Sequence, residues 1–163
     1  MGFMNVMEAS KRNKVKKVIF ASSSSVYNGL AVPFKESCRV VPKTFYECSF
    51  YCREISAYSY YMENGLKSIG LRYFSVYGPN EIHKGRFANN ISQFIWDMSR
   101  AKSPIIYGDG SQTRDFTFIK DVVKSNILAM NAEEIECGVY NVGTGIKTSF
   151  NRLINIINKK SRN

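Results

Sequence analysis

Short apolar runs alternate with amphipathic segments along this chain, a pattern that is typical of α/β proteins. A short continuous apolar run indicates a strand that is buried on both faces, and an apolar residue at every third or fourth position indicates a helix. By these rules the sequence predicts strands over residues 17–21, 67–74, 104–107 and 139–142. It predicts helices over residues 3–13, 46–64, 87–101 and 149–158, and one that begins near Asp121. The helix over 87–101 is expected to bury Phe87, Ile91, Phe94, Ile95 and Met98.

Glycine, proline and polar residues mark the boundaries of these elements. Residues 28–45 contain Gly29, Pro33 and Pro42 and are predicted to form a loop. Asn64-Gly65 is a typical helix C-terminus. Four consecutive serines follow the first strand. Ligands bind at the carboxyl ends of the strands in open α/β sheets, so this serine cluster is a candidate site.

The composition is that of a globular chain, with 44% hydrophobic and 22% charged residues among 163. No apolar run approaches the roughly 18–20 residues that a membrane-spanning helix needs. The N-terminal segment is too short and too acidic for a signal peptide, so we expect a cytoplasmic protein without a membrane partner. The net charge of +10 is compatible with an anionic ligand such as a nucleotide, or with a nucleic acid. The lysines cluster near the two chain ends, however, and no nucleic-acid-binding motif is present.

The chain has four cysteines, and two of them, Cys48 and Cys52, are spaced to lie on one face of a helix. A metal site would need further ligands nearby, and the one histidine, His83, is far away in sequence. We therefore predict no metal site and four free thiols in a reducing compartment.

Five local motifs occur in an order and spacing that are more informative than any one of them alone. They are Phe20-Ala21-Ser22-Ser23-Ser24-Ser25-Val26-Tyr27; Pro42 followed by Tyr46, Ser49 and Glu54; Leu71-Arg72-Tyr73-Phe74-Ser75-Val76-Tyr77-Gly78-Pro79; Tyr107-Gly108-Asp109-Gly110-Ser111-Gln112-Thr113-Arg114-Asp115-Phe116-Thr117; and Tyr140-Asn141-Val142-Gly143-Thr144-Gly145. Together they resemble the extended short-chain dehydrogenases/reductases, in the NAD-dependent epimerase/dehydratase branch that acts on nucleotide sugars. The resemblance covers nearly the whole chain and is closest to UDP-glucose 4-epimerases.

This resemblance implies an α/β fold: the C-terminal part of a Rossmann-like doubly wound parallel sheet, plus part of a small substrate-binding domain. Residues 1–79 would form the rear half of the NAD-binding domain, including the active-site helix. Residues 80–163 would form a partial nucleotide-sugar domain, interleaved with a late Rossmann strand. The family also forms homodimers through the helix that contains Tyr46. Its residues Tyr51, Ile55, Tyr58 and Met62 are candidates for the partner-facing surface, with ordinary core packing as the alternative.

The resemblance also implies a reaction and its catalytic residues. Such enzymes transfer a hydride from a sugar carbon to bound NAD and later return it, while the protein orients and polarises the reactants. Tyr46 matches the general base. Ser23 matches the hydroxyl that hydrogen-bonds the same substrate oxygen, and Ser24 takes this role if the register differs by one residue. Ser22, Tyr46 and Tyr73 would contact NAD.

Three residues match substrate-binding positions of the family. Arg114 would hold the nucleotide diphosphate, because a planar guanidinium fork matches phosphate oxygens. Ser75 and Asn90 would contact the UDP-sugar. The simpler alternative for Arg114 is a surface ion pair with Asp115 or Asp121, and the alternative for Ser23 is a helix-capping or loop serine.

The sequence departs from the family pattern at two points. Phe50 stands four residues after Tyr46, where the family has a lysine that favours the ionised tyrosine and holds the nicotinamide ribose. Arg53 is a candidate substitute, with an ion pair to Glu47 or Glu54 as the expected alternative. The Gly-x-x-Gly-x-x-Gly turn that meets the dinucleotide pyrophosphate is also missing.

The missing turn implies that about 80 residues of the family's N-terminal part are lacking, and the last helix resembles only the start of a longer one. The strand over 17–21 would then have an unpaired edge, and we expect the chain expressed alone to associate. Three hypotheses follow: a truncated epimerase that needs a longer polypeptide or a partner chain, a non-catalytic UDP-sugar-binding or assembly module, and a nucleic-acid binder supported by charge alone.

Overall fold

The computed structural model describes residues 2–161, which form two compact units. The first contains the described residues of Met1–Tyr73 and Val123–Val142, and the second those of Phe74–Val122 and Gly143–Asn163. In chain order the elements are α1 (Gly2–Arg12), β1 (Lys17–Ser23), α2 (Phe45–Asn64), β2 (Lys67–Tyr73), β3 (Val76–Tyr77), α3 (Asn90–Ser99), β4 (Thr113–Arg114), β5 (Thr117–Phe118), α4 (Ile119–Asn131), β6 (Cys137–Val142), β7 (Thr148–Ser149) and α5 (Phe150–Ser161).

The first unit is built on a parallel three-stranded sheet in the order β1-β2-β6. Its carboxyl ends are in register, so that Ser22 pairs with Arg72 and Ser23 with Tyr73. Helices α1 and α2 pack together, and a core centred on Met7, Phe20 and Ala57 fills the space between helices and sheet. The predicted α/β class and parallel sheet are confirmed. Within the described residues β1 pairs with β2 alone, so its other edge is unpaired.

Helix α2 begins and ends where local sequence signals place its termini. Thr44 is the N-cap: its hydroxyl accepts a hydrogen bond from the Glu47 amide, and the Glu47 carboxylate accepts one from the Thr44 amide. Gly65 ends the helix in the left-handed region, with φ of 67°. These signals confirm the helix that was predicted over 46–64.

Gly70, in the centre of β2, is required by close packing between strands. A β-carbon at this position would lie 2.7 Å from the Phe20 ring of β1 and 2.9 Å from Val139 of β6. The absence of a side chain lets both neighbours cover the middle strand. Most of β2 is therefore fully buried, which fits the continuous apolar run that predicted it.

The second unit has two short ladders, β3 with β5 in parallel and β4 with β7 in antiparallel. Its core lies between α3 and α5, where Phe94 and Phe150 meet edge to face at 5.6 Å. Helix α3 is shorter than the predicted range of 87–101. Asn89 is its N-cap, because the Asn89 side-chain oxygen accepts a hydrogen bond from the Ile91 amide. Phe87 therefore precedes the helix and is exposed, and Ile95 is also largely exposed, so the prediction that both are buried is wrong.

The strand predicted over residues 104–107 does not form. This segment pairs with no strand, and Ile105 and Tyr107 are 69% and 87% exposed. A four-residue apolar run specifies a strand only where another strand is available to pair with it. The strand predicted over 139–142 does form, as the end of β6.

Candidate active site

A buried ion pair fixes α2, the helix that contains Tyr46, to the middle of the sheet. Arg72 of β2 donates to both carboxylate oxygens of Glu54, from Nε at 2.8 Å and from Nη2 at 2.6 Å. Ser22 of β1 donates its hydroxyl to the same carboxylate. One glutamate thus connects α2 to two strands near their carboxyl ends, which sets the position of the helix relative to the serine cluster.

The ion pair continues into a hydrogen-bond network on the other side of Arg72. Its Nη1 donates to the Tyr27 hydroxyl at 2.7 Å, and Tyr27 donates to Asn141 of β6 at 2.8 Å. Burial lowers the pKa of Arg72, but the hydrogen bonds to Glu54 and Tyr27 outweigh it, and the net result is a raised pKa. Burial also raises the pKa of Tyr27, against the opposing effect of Arg72. Arg72 is therefore charged and Tyr27 neutral at neutral pH.

The serine cluster begins at the end of β1. The Ser23 oxygen accepts two hydrogen bonds, from the Ser25 amide at 3.2 Å and from the Ser25 hydroxyl at 2.9 Å. A hydroxyl has two acceptor positions and one proton, so Ser23 keeps its proton for a further acceptor. Ser23 also caps the 3₁₀ turn of Ser24–Tyr27, so the expected capping role and a role as a donor are compatible.

Tyr46 lies in the first turn of α2 and is 60% exposed. Its ring packs edge to face against Phe50, with 4.9 Å between ring centroids. Tyr46 lies at the N-terminal end of the helix, where the helix dipole favours negative charge. Glu47, one residue further along, caps the helix. The Lys43 amide, together with Asn28 and Thr44, lowers the pKa of Glu47 and outweighs the opposing effect of burial.

Arg53 is not in the ion pair that the sequence suggested. Glu54 is engaged by Arg72, and Glu47 by the helix cap. The Arg53 guanidinium instead stacks over the Phe50 ring, 4.3 Å from its centroid, and donates to the carbonyl oxygen of Ala21 at 3.3 Å. The Arg53 cation therefore lies against Phe50, the residue that stands where the family has a lysine, and close to the end of β1.

The two other predicted cofactor residues have internal partners. The Ser22 side chain is 2% exposed and its proton goes to Glu54, so only an oxygen lone pair is left for a ligand. The Tyr73 hydroxyl donates to Asn126 of α4 at 3.0 Å. Their contacts to NAD remain predictions.

In the second unit Arg114 is exposed and has no carboxylate within ion-pair distance among the described residues. Asp115, the partner that sequence suggested, instead accepts hydrogen bonds from the Thr144 and Gly145 amides and from the Thr144 hydroxyl. The expected alternative, an ion pair between Arg114 and Asp115 or Asp121, is therefore wrong. The guanidinium is available for an anionic ligand.

Ser75 and Asn90 lie near the β3–β5 ladder of the same unit. The Ser75 carbonyl accepts from the Thr117 amide at 3.2 Å, and Asn89, which precedes Asn90, donates to the Val76 carbonyl at 2.9 Å. Asn89 is the helix cap, which leaves the Asn90 side chain without a capping role.

Two buried carboxylate sites were not predicted from the sequence: the pairing of Glu54 with Arg72, and the site around Glu81. Arg72 was visible as a charged residue near the carboxyl end of an apolar strand, where burial requires a partner for the charge. Its pairing with Glu54 could have been anticipated from that burial. Glu81, in the second unit, accepts from Ser92 and Lys84. Burial raises its pKa and these bonds lower it, with a net lowering. No sequence pattern indicated this site.

Comparison with known proteins shows the family of this chain. Residues 1–143 match the model of the NAD dependent epimerase/dehydratase family. The chain belongs to this family. A putative UDP-glucose 4-epimerase of Methanocaldococcus jannaschii is 38% identical over 159 residues, which is 96% of this chain and 51% of that protein.

Solved structures of family members have the same fold. A UDP-N-acetylglucosamine 4-epimerase from Methanobrevibacter ruminantium, in complex with UDP-N-acetylmuramic acid, superposes with a TM-score of 0.93 at 37% identity, over 99% of this chain and 52% of that one. A UDP-glucuronic acid 4-epimerase from Bacillus cereus, in complex with UDP-glucuronic acid and NAD, gives 0.86 at 29% identity, over 99% and 50%. The chain spans about half the length of these epimerases. Among its described residues, no helix is both long and apolar enough to cross a membrane.

Proposed function

We propose that this chain supplies the substrate-facing half of an NAD-dependent 4-epimerase of UDP-sugars, with Tyr46 as the general base. The observation that supports this most strongly is the position of Tyr46. It is exposed in the first turn of α2, and the Glu54–Arg72 ion pair holds that helix against the strand that ends in the serine cluster. Family members of known structure bind UDP-sugars.

The two hydroxyls have complementary chemistry. Ser23 has its acceptor positions filled by Ser25 and offers a proton, so it suits hydrogen bonding to a sugar oxygen. Tyr46, at the positive end of a helix dipole, suits removal of the proton from that sugar hydroxyl. Ser24 has the same chemistry one residue further on and is the second candidate for the donor.

The residues of this chain fit only part of an NAD site. NAD, where bound, accepts and returns the hydride. The family's lysine holds the nicotinamide ribose of NAD. Phe50, at this position, has neither a hydrogen-bond donor nor a charge, so it does not fit the ribose of the cofactor. The remaining cofactor contacts, including the glycine-rich turn, would come from a longer polypeptide or from a partner chain. Contacts of Ser22, Tyr46 and Tyr73 with NAD would add to them.

Arg114 is the proposed diphosphate ligand. Its guanidinium is exposed, and no carboxylate of residues 2–161 lies within ion-pair distance of it, while Asp115 holds the segment of Thr144 and Gly145. A planar fork of donors can bind two phosphate oxygens at once. Ser75 and Asn90 of the same unit would contact the rest of the nucleotide sugar.

A homodimer is part of the proposal. Ile55, Tyr58 and Met62 lie along α2 and are 50%, 57% and 63% exposed, so the core-packing alternative is wrong for these three residues. Tyr51, the fourth candidate, is half-buried. An apolar stripe on an exposed helix suits a second copy of the same helix.

The second candidate function is a non-catalytic UDP-sugar-binding or assembly module. Phe50 is the observation that favours it, because a phenyl ring removes the positive charge that the family places beside the base. Arg53 offers a cation nearby, but it is stacked on the opposite partner of the pair, the Phe50 ring, which itself packs against Tyr46.

Equilibrium binding of UDP, followed by isothermal titration calorimetry, tests the assignment of the diphosphate site. We expect Arg114→Met to weaken binding about 10- to 100-fold, the loss expected for charge-assisted hydrogen bonds of about 1.5–3 kcal/mol. Arg114→Lys keeps the charge and loses the fork, so it should retain only part of the affinity.

Arg152→Met is the matched control. It removes the same charge from an exposed position on α5 of the same unit and should leave UDP affinity unchanged. Equal losses in the Arg114 and Arg152 variants would show that net charge alone attracts the nucleotide, and would contradict the assignment.

A further inference from the structure

Two cysteines on α2 form a close pair. The Sγ atoms of Cys48 and Cys52 are 3.7 Å apart, both residues are exposed, and neither is in a disulfide. Residues four apart lie one above the other on a helix face, so the helix backbone itself holds the two thiols together. Their shared hydrogen bond raises the pKa of Cys52, which keeps that group a thiol at neutral pH.

The spacing of the sulfurs suits one atom bonded to both. A central atom at about 2.3 Å from each sulfur, a typical length for a metal–thiolate bond, would subtend an S–X–S angle of about 107° across 3.7 Å. That angle is close to tetrahedral or pyramidal geometry. A disulfide bond of about 2.05 Å would instead require the sulfurs to approach much closer.

The surroundings limit what this atom can be. The described residues contain no cluster of three or more His, Cys, Asp or Glu side chains that could hold a metal ion. A structural zinc ion, which takes four protein ligands, is therefore poorly served. A three-coordinate central atom fits better, if it bonds to both sulfurs and already has an organic group as its third substituent.

A cleft beside the pair has room for such a substituent. Cys52 lines a cleft of about 530 Å³ together with Phe3, Met4 and Ser56, all within the first unit. Met4 is 45% exposed, so part of the apolar surface of this cleft is accessible. An aryl or alkyl group attached to the bridging atom can lie against it.

We propose that Cys48 and Cys52 form a chelating dithiol site for trivalent organoarsenicals. In the reaction of R–As=O with the two thiols, two As–S bonds form and the As=O bond breaks. Both thiol protons leave with the oxygen as one water molecule. Arsenic remains in the trivalent state, so no oxidant or reductant is needed. This site is independent of the UDP-sugar chemistry, because it uses neither Tyr46 nor Arg114.

Phenylarsine oxide tests the site by intact mass spectrometry. The reduced 163-residue chain is treated with one equivalent and then with excess 2-mercaptoethanol, which displaces arsenic from single thiols. We expect the chain to retain one phenylarsenic group, with the loss of one water, and to release it to 2,3-dimercaptopropanol. Cys48→Ser and Cys52→Ser should each lower retention at least tenfold, whereas Cys38→Ser and Cys137→Ser should retain it fully.

A spacing control separates chelation from thiol count. Cys52→Ser combined with Ser56→Cys keeps four thiols but moves the second one to eight residues from Cys48, and it should fail to retain arsenic. Peptide mapping with iodoacetamide should show protection of Cys48 and Cys52 alone in the treated wild-type chain. Release from the wild type by monothiol, full retention by Cys48→Ser, or protection of Cys38 and Cys137 would overturn the proposal.

Discussion

Arg72 and Glu54 form a two-pronged ion pair in which both side chains are at most 5% exposed. The pair joins the middle strand of the sheet to the helix that contains Tyr46. Because Ser22 donates to the same carboxylate, the pair also fixes the end of β1. The position of the proposed base relative to the serine cluster therefore depends on a charge pair that is itself remote from solvent.

Replacing Glu54 tests this structural role. Glu54→Gln leaves the Arg72 charge buried without a counter-ion, and we expect it to reduce the free energy of unfolding by about 3–5 kcal/mol. Urea denaturation followed by circular dichroism measures the change. Glu63→Gln, at an exposed position of the same helix, should stay within about 0.5 kcal/mol of the wild type. A Glu54 variant as stable as the Glu63 control would show that the pair does not hold α2 in place.

The Glu47 cap should make stability depend on pH in the acid range. The helix-cap hydrogen bonds lower its pKa in the folded chain below the ordinary value of 4.5. The carboxylate therefore stabilises the fold fully above about pH 4.5, and this contribution is lost as pH falls through the lowered folded pKa. In Glu47→Gln the decrease in Tm between pH 6 and pH 3 should be smaller than in the wild type.

Thr44→Ala is the control for this experiment. It removes the hydroxyl of the capping box but keeps the titrating carboxylate and its hydrogen bonds from the Lys43 and Thr44 amides, so its Tm should be lower at both pH values and should still decrease on acidification. If the decrease in Tm between pH 6 and pH 3 is the same in Glu47→Gln and in the wild type, the Glu47 carboxylate does not cause the acid sensitivity.

Phe50→Lys should restore a cation beside the proposed base. A charge at this distance changes the ionised fraction of a neighbouring group by about 10- to 1000-fold. We expect turnover of a UDP-sugar at neutral pH to rise by at least tenfold in the complete polypeptide that contains this chain. Phe50→Met, which removes the ring without adding charge, should give no increase. Equal rates in the two variants would mean that the missing charge does not limit the reaction.

Local signals predicted the elements whose boundaries they determine. Asn64-Gly65 indicated the end of α2 correctly, whereas the Thr44 cap was recognised only in the structure. A continuous apolar run was sufficient for β2, which is buried between two strands, and for β1, which is only partly buried but pairs with β2. The segment 104–107 has the same apolar character but no partner strand, so its conformation depends on contacts that the sequence does not display. Phe87 was predicted to be in the helix because the apolar periodicity extends to the N-terminal side of Asn89, which is the N-cap of α3.

The candidate site residues were proposed from motif positions alone. Motifs singled out Tyr46, Ser23 and Arg114, but they did not indicate the contacts that these side chains make. Arg53 is the clearest case, since two nearby glutamates favoured an ion pair and both are engaged elsewhere. Competition among partners for a charged side chain is decided by three-dimensional packing, which sequence spacing alone does not specify.

The most direct test of the account is the 4-epimerisation of a UDP-sugar, followed by proton NMR with NAD present, in the complete polypeptide that contains this chain. The account predicts interconversion of the two 4-epimers by the wild type. It predicts a loss of about 10²–10⁴-fold in Tyr46→Phe, with UDP-sugar binding retained, and a smaller loss in Ser23→Ala. A wild-type rate in Tyr46→Phe, or tight UDP-sugar binding by a wild type that converts none of it, would contradict the assignment of Tyr46 as the base of an epimerase.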